Sequence, residues 1–212
     1  MFLAELWRFP VKSMRGERLQ RARLGAEGVE GDRVVLVRAP RGRIVTARTR
    51  PGLLGLHGTT GLDGEPLVDG RPWRDPEVAR KVEAATAPGV ALEVADDPGR
   101  FDVLPLLVAT DGALQAMGAD WRRFRPNLII GGVPGLAERE WEGRRLRIGP
   151  ALIGVANLRG RCVMTTFDPD TQAQDPGVLR RIVEEFDGVL GLNCAVIEAG
   201  EVAEGDPVEL LD

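Results

Sequence analysis

Short runs of Val, Ile and Leu recur along the chain, each closed by a stretch rich in Gly, Pro or Asp. This pattern predicts strands joined by turns rather than a helical bundle. Candidate strands fall at residues 3–9, 19–24, 33–38, 43–47, 91–95, 127–130, 147–148, 151–158, 193–198 and 208–211. Helical periodicity is rarer. In the clearest case Asp175 stands as N-cap and Pro176 at the first helical position, an apolar stripe runs through Val178, Leu179, Ile182, Val183 and Phe186, and Gly188 ends it. A second helix is expected over residues 75–85 and a short one over residues 111–117. Residues 51–70 are dense in Gly and turn formers and predict a long irregular loop. The whole is expected to be mainly β (α+β), with short strands that suit a barrel and a few short helices.

Composition narrows the chemistry. The 212 residues hold 28 Lys+Arg against 32 Asp+Glu, a net charge of -4, so no nucleic-acid or membrane partner is expected. A chain this long buries roughly 70% of its unfolded surface and needs no staples. No apolar run approaches the length of a membrane span, and Glu5 and Arg8 interrupt the N-terminal stretch where a signal peptide would be apolar, so a cytoplasmic protein is expected. One His, two Cys and no Tyr leave little material for a His/Cys zinc site or a serine hydrolase. The cysteines form no C-x-x-C pair, so any electrons must come from elsewhere. The turn at residues 96–100 is the expected boundary between two parts, residues 1–98 and residues 99–212.

Cys162 follows Arg159-Gly160-Arg161 and precedes Val163-Met164-Thr165-Thr166-Phe167-Asp168. It is either a small buried hydrophobe or a thiolate favoured by neighbouring guanidinium groups, the form that attacks electrophiles and binds soft metals. Cys194 lies in an apolar alternating strand and is expected in the core. Lys12 and Ser13, Arg33, Arg48, and the Arg125-Pro126-Asn127 segment stand at strand ends, where guanidinium donors and turn N–H groups suit phosphate or a pterin. Each taken singly is more often a solvated surface charge. His57 is expected in an exposed loop, the Gly-rich run from Ile130 to Gly135 as a plain turn, and Asp206 as a tight turn without chemistry.

In this order the segments resemble the MOSC family, named for the C-terminal domain of molybdenum cofactor sulfurases, and most nearly its two-part form in the mitochondrial amidoxime reducing components. Phe9-Pro10-Val11-Lys12-Ser13, Gly28-Val29-Glu30-Gly31-Asp32-Arg33 and Val45-Thr46-Ala47-Arg48 are similar to the N-terminal β-barrel part. Phe124-Arg125-Pro126-Asn127, Arg161-Cys162, Thr165 to Thr171, Gly191-Leu192-Asn193 and Gly205-Asp206-Pro207-Val208 are similar to the MOSC part, itself a β-barrel. The resemblance implies a molybdenum cofactor (Mo-molybdopterin) in a cleft between the parts. It implies Cys162 as molybdenum ligand and catalytic centre, and Lys12, Ser13, Arg33, Arg48, Thr110, Arg125, Asn127 and Arg161 as cofactor-binding residues. The implied reaction is the reduction of small N-hydroxylated substrates such as amidoximes and hydroxylamines. Some relatives carry a ferredoxin-type domain after the MOSC part; without one, a separate flavin or iron-sulfur reductase is implied as electron donor. Other expectations remain open: a sulfur or cofactor carrier with a persulfide on Cys162, and a non-catalytic binder of a phosphorylated small molecule.

Overall fold

A computed structural model describes residues 1–95 and 98–212. The large sheet has the order Val208–Leu211, Arg145–Ile148, Ala151–Gly160, Val189–Glu198, Leu106–Thr110, Leu128–Gly131, Phe2–Arg8 and Glu17–Leu19. Its pairs are antiparallel except the parallel pair Leu106–Thr110 with Leu128–Gly131. The sheet curls until the start of its first strand nears Phe2–Arg8, the next to last, but the ladder does not close. The two are joined through an isolated bridge, Phe2 to Pro207, with Leu3 N donating to Asp206 O at 2.9 Å. The barrel expected from the strand pattern is therefore an open, curled sheet, and no sheet among the described residues closes. Turn residues before Val208 stop the ladder there, and Asp206 serves that turn, its carboxylate accepting from Ala203 N at 2.8 Å.

The inner face of this sheet buries Leu6, Leu106, Val108, Leu128, Ile130, Ile153 and Leu192 in one cluster with Cys194, which has 0% exposure. Cys194 is thus the core residue its alternating strand predicts, and burial pushes its thiol up to about 12. A second cluster gathers Val11, Met14, Val35, Val37, Val45, Leu53 and Val82 with Phe167, so a residue from the second half of the chain closes the core of the first. A third lies between the sheet and two helices.

Among the described residues the α-helices are α1 (Pro76–Ala85), α2 (Asp111–Met117) and α3 (Pro176–Glu185). All three stand where the pattern predicts. Asp75 and Asp175 accept from the second helical N–H of α1 and α3, and Thr110 caps α2 by accepting from Ala113 N. No helix among the described residues is long and apolar enough to cross a membrane.

The structure corrects the pattern elsewhere. Residues 51–70 are not an irregular loop: Pro51–Gly55 is a 3₁₀ turn, and Gly58–Thr60 begins a meander continued by Pro66–Val68 and Arg71–Pro72. Strands of two or three residues are too short to show a period of two. The run at residues 19–24 is two strands, Glu17–Leu19 and Arg21–Gly25, which pair with different sheets. Leu106–Thr110 is an unforeseen central strand whose apolar run has no alternation because both its faces are covered. Of the boundary expected at residues 96–100, Asp96 and Asp97 lie outside the described residues, and Pro98–Arg100 form a 3₁₀ turn.

Candidate functional site

After the first strand the chain turns sharply at Pro10 to Ser13. Lys12 N donates to Val35 O at 2.8 Å, and Ser13 takes φ 72°, its hydroxyl accepting from Ala47 N at 3.1 Å. Arg33 and Arg125 also have positive φ, 51° and 57°. Left-handed backbone at side chains other than Gly costs energy and gathers where a side chain must be aimed. Here Ser13, Arg33 and Arg125 all face one cleft, joined by Lys12, Arg48, Arg161 and Cys162. Cys162 lies where the long strand Ala151–Gly160 ends, and its carbonyl caps a 3₁₀ turn by accepting from Thr165 N at 3.0 Å and Thr165 Oγ1 at 2.9 Å. Its side chain is half-buried and unpaired with Cys194.

Asp102 organises the charges. Its carboxylate accepts from Lys12 Nζ at 3.1 Å and Arg48 at 2.6 Å, with Arg159 at 3.5 Å. Burial by itself would raise the Asp102 carboxyl, but Lys12 and Arg48 hold it below the ordinary carboxylate range. Burial lowers Lys12, whose ammonium also donates to Gly99 O at 2.6 Å and Arg100 O at 3.1 Å. Burial likewise works against Arg48, yet its nearness to Cys162 and the Asp102 charge keep it above its usual value.

Two guanidinium groups remain under-compensated. Burial pushes Arg125 down to about 9 and Arg161 down to about 10. Among the described residues Arg125 Nη2 and Arg161 Nε have no hydrogen-bond partner, although Arg161 donates elsewhere to Phe124 O at 2.7 Å. A buried donor without an acceptor is costly, so the cleft has donor capacity to offer to a ligand with oxygen acceptors.

Of the expected residues, Lys12, Ser13, Arg33, Arg48, Arg125, Arg161 and Cys162 line the cleft together. Asn127 stands behind it: its Oδ1 accepts from Leu107 N at 3.2 Å and Arg33 at 3.4 Å, and its Nδ2 donates to Trp7 O at 3.3 Å. Thr110 does not line it. It is buried at the start of α2 and donates to Glu138 at 3.1 Å. The pattern missed Asp102, Arg159 and Arg123. Arg159 could have been found, since it stands in the same Arg159-Gly160-Arg161-Cys162 run, at the end of the strand that delivers Cys162. Arg123 lies beside the Phe124-Arg125-Pro126-Asn127 segment and clamps the Cys162 turn, donating to Thr166 O and Asp168 at 3.0 Å each. Asp102 carries no local signal.

Comparison with known proteins places this geometry. The MOSC domain matches residues 107–209 and the MOSC N-terminal beta barrel domain residues 1–96, which together span nearly the whole chain. The chain belongs to the MOSC family. Over 99% of its length it is 24% identical to mitochondrial amidoxime-reducing component 1 of Mus musculus, covering 82% of that protein. Over 50% of its length it is 28% identical to mitochondrial amidoxime reducing component 2 of Homo sapiens, spanning 37% of that relative. The YuaD protein of Bacillus subtilis shares the MOSC fold at a TM-score of 0.54 and 14% identity, covering 99% of this chain and 94% of that one. Cys162 and the cations around it straddle the two matched regions, with Lys12, Arg33 and Arg48 from the first and Arg125, Arg159 and Arg161 from the second.

Proposed function

We propose that the protein is a molybdenum-cofactor-dependent reductase of N-hydroxylated compounds. The observation that carries this is a half-buried free thiol at the wall of a cleft where Arg125 and Arg161 each keep a buried donor without an acceptor. Among the described residues no group of three or more His, Cys, Asp or Glu could hold a metal ion by itself. Cys162 offers one soft sulfur, and a pterin dithiolene would bring the others. The donor set fits such a group: thiolate for the metal, and Lys12, Ser13, Arg33, Arg48, Arg125 and Arg161 for a phosphate and a ring with carbonyl and nitrogen acceptors. In this reading residues 1–98 and residues 99–212 each supply one wall.

The chemistry the bound centre would supply is a two-electron reduction: the N–O bond breaks, two protons are taken up, and an amidoxime becomes an amidine and water. The chain's own residues bind, orient and shield. Arg48, tied to Asp102 at 2.6 Å, lines the same cleft wall as Cys162 and sets the charge around its thiol. Asp32 and, more distantly, Asn127 act through Arg33, both accepting from its guanidinium at the edge of the cleft. Asp102, kept ionised by Lys12 and Arg48, accepts protons in hydrogen bonds and is a poor acid, so water or an exchangeable donor supplies the protons. Electrons would come from a separate flavin or iron-sulfur protein, and the names of the amidoxime reducing relatives support the substrate class.

The test is metal and pterin analysis of protein made in a host that assembles the cofactor, with benzamidoxime reduction driven by a chemical donor. Wild-type protein is expected to hold about one molybdenum per chain and to reduce benzamidoxime. Cys162→Ala is expected to lose the activity while keeping its melting temperature, because the side chain is not part of any hydrophobic cluster. Undiminished reduction by Cys162→Ala would overturn the ligand assignment.

A further inference from the structure

Beside the Cys162 cleft is a second cavity of about 190 Å³, and Arg123, Arg125 and Met164 line both. Its walls are aromatic. The Trp7 and Trp121 rings meet edge to face with centroids 5.0 Å apart, and Phe9 and Phe167 complete the enclosure. The volume exceeds the roughly 150 Å³ that accepts a benzene in an apolar protein cavity. Aromatic walls favour a flat ring stacked or presented edge-on.

The charged groups at this cavity are all cationic in character, and they differ in what they leave free. Arg122 is occupied by Asp120 at 2.6 Å and Asp170 at 2.7 Å, and Arg123 by Thr166 and Asp168. Arg125 is not occupied: its guanidinium lies 4.2 Å over the Phe9 ring with Nη2 unpartnered. Arg15 donates to Gly55 O at 3.1 Å and faces Asp170 at 3.9 Å, but its buried Nε has no partner among the described residues. Aromatic walls beside unspent guanidinium donors fit a ring that carries a carboxylate or a neutral acceptor, and they disfavour a ring that carries an ammonium group.

We propose that this cavity is a binding subsite for flat aromatic rings bearing an acidic or acceptor substituent, and that it seats the aromatic body of the molecule reduced at Cys162. The second half rests on the reductase reading; the first does not. The subsite also bears on product release, since an amidine is protonated at neutral pH where its amidoxime is neutral. The cations that admit the substrate therefore oppose retention of the product.

The test uses the full chain and the indole N–H resonances of Trp7 and Trp121, with Trp73 and Trp141, buried in other parts of the core, as internal controls. Benzoate is expected to shift the Trp7 and Trp121 signals saturably and leave the other two in place. Benzylammonium, of similar size and opposite charge, is expected to bind about tenfold more weakly or worse, as are benzoate to Trp121→Ala and to the milder Arg15→Gln. Equal binding of the two ions, or no response at Trp7 and Trp121, overturns the subsite. In turnover, 4-carboxybenzamidoxime is expected to show a lower KM than its 4-aminomethyl analogue, with Trp121→Ala raising KM more than it lowers kcat. Protein that holds molybdenum and reduces hydroxylamine yet ignores benzoate refutes the subsite and spares the reductase. Protein that binds benzoate but reduces nothing refutes the reductase and the seating of its substrate.

Discussion

Asp102 is the residue on which the cleft's charge turns. Its carboxylate occupies the place, among Lys12, Arg48 and Arg159, that an anionic ligand's oxygen would compete for. A unit charge about 4 Å from another is worth about 4 kcal/mol near a protein surface, and less where water screens it. Removing that charge therefore acts in opposite directions on the empty and the filled cleft. Asp102→Asn is expected to lower the melting temperature in a buffer without multivalent anions, because the three cations lose their counter-charge. It is also expected to tighten pyrophosphate binding by about tenfold, measured by titration calorimetry. Weaker pyrophosphate binding by the variant would mean that Asp102 holds the cations in place for the ligand rather than competing with it. The chemistry of Lys12, Arg33, Arg48 and Cys162 was legible in the sequence because each sits in a short, distinctive motif. Asp102 was not legible, because the meaning of one carboxylate depends on cations that reach it from residues 12, 48 and 159, and local pattern does not record that convergence.

At the scale of elements, α1, α2 and α3 could be read from their caps and stripes, since those signals are local. The strand Leu106–Thr110 and the meander after Pro51 could not, because one is covered on both faces and the other is made of strands too short for a period. The Gly-rich run from Ile130 to Gly135 is in part the end of the strand Leu128–Gly131 and in part the turn its sequence predicts, where Gly132 and Gly135 take φ of 77° and 52°, and its backbone sets a limit on α2 that only packing exposes. Asp111 at the start of α2 accepts from Gly132 N at 2.7 Å and Val133 N at 3.0 Å. This draws the helix so close that a Cβ on Gly112 would collide with Val133 O and stand 2.7 Å from Gly135 N. Both neighbours are backbone and cannot rotate away. Gly112→Ala is expected to cost about 1–3 kcal/mol, read as a lower urea midpoint with unchanged slope. A variant as stable as the wild type would show that α2 can shift on the sheet, and would remove the packing reason for Gly112.

The whole molecule carries its charges in a way that sets how it responds to acid. Asp69, Asp102, Asp168 and Asp170 are held below their ordinary 3.8 and Glu198 below 4.5. Burial opposes the shift at Asp69 and Asp102, where Lys81 and Lys12 outweigh it; backbone N–H groups of Thr171 and Asp170 lower Asp168, and Arg122 and Arg147 lower Asp170 and Glu198. A carboxyl with a depressed folded pKa gives stability that is fully present above its unfolded value and is lost as pH falls through the folded one. Glu138 has the opposite sign, since burial raises it above 4.5, so its contribution is present in acid and lost as pH rises through the raised value. Five carboxyls thus carry the depressed sign against one raised. The urea midpoint is therefore expected to stay flat from pH 7 to about pH 5 and to fall steadily below about pH 4. Salt separates the sources of that fall. At about 1 M the screening length is about 3 Å, which weakens the exposed pairs of Asp170 and Glu198 but leaves the cleft carboxylate largely unscreened. The part of the acid slope that survives high salt should accordingly shrink in Asp102→Asn. A slope that high salt abolishes altogether would assign the acid response to the outer surface and show the cleft charges to be far better hydrated than their burial implies.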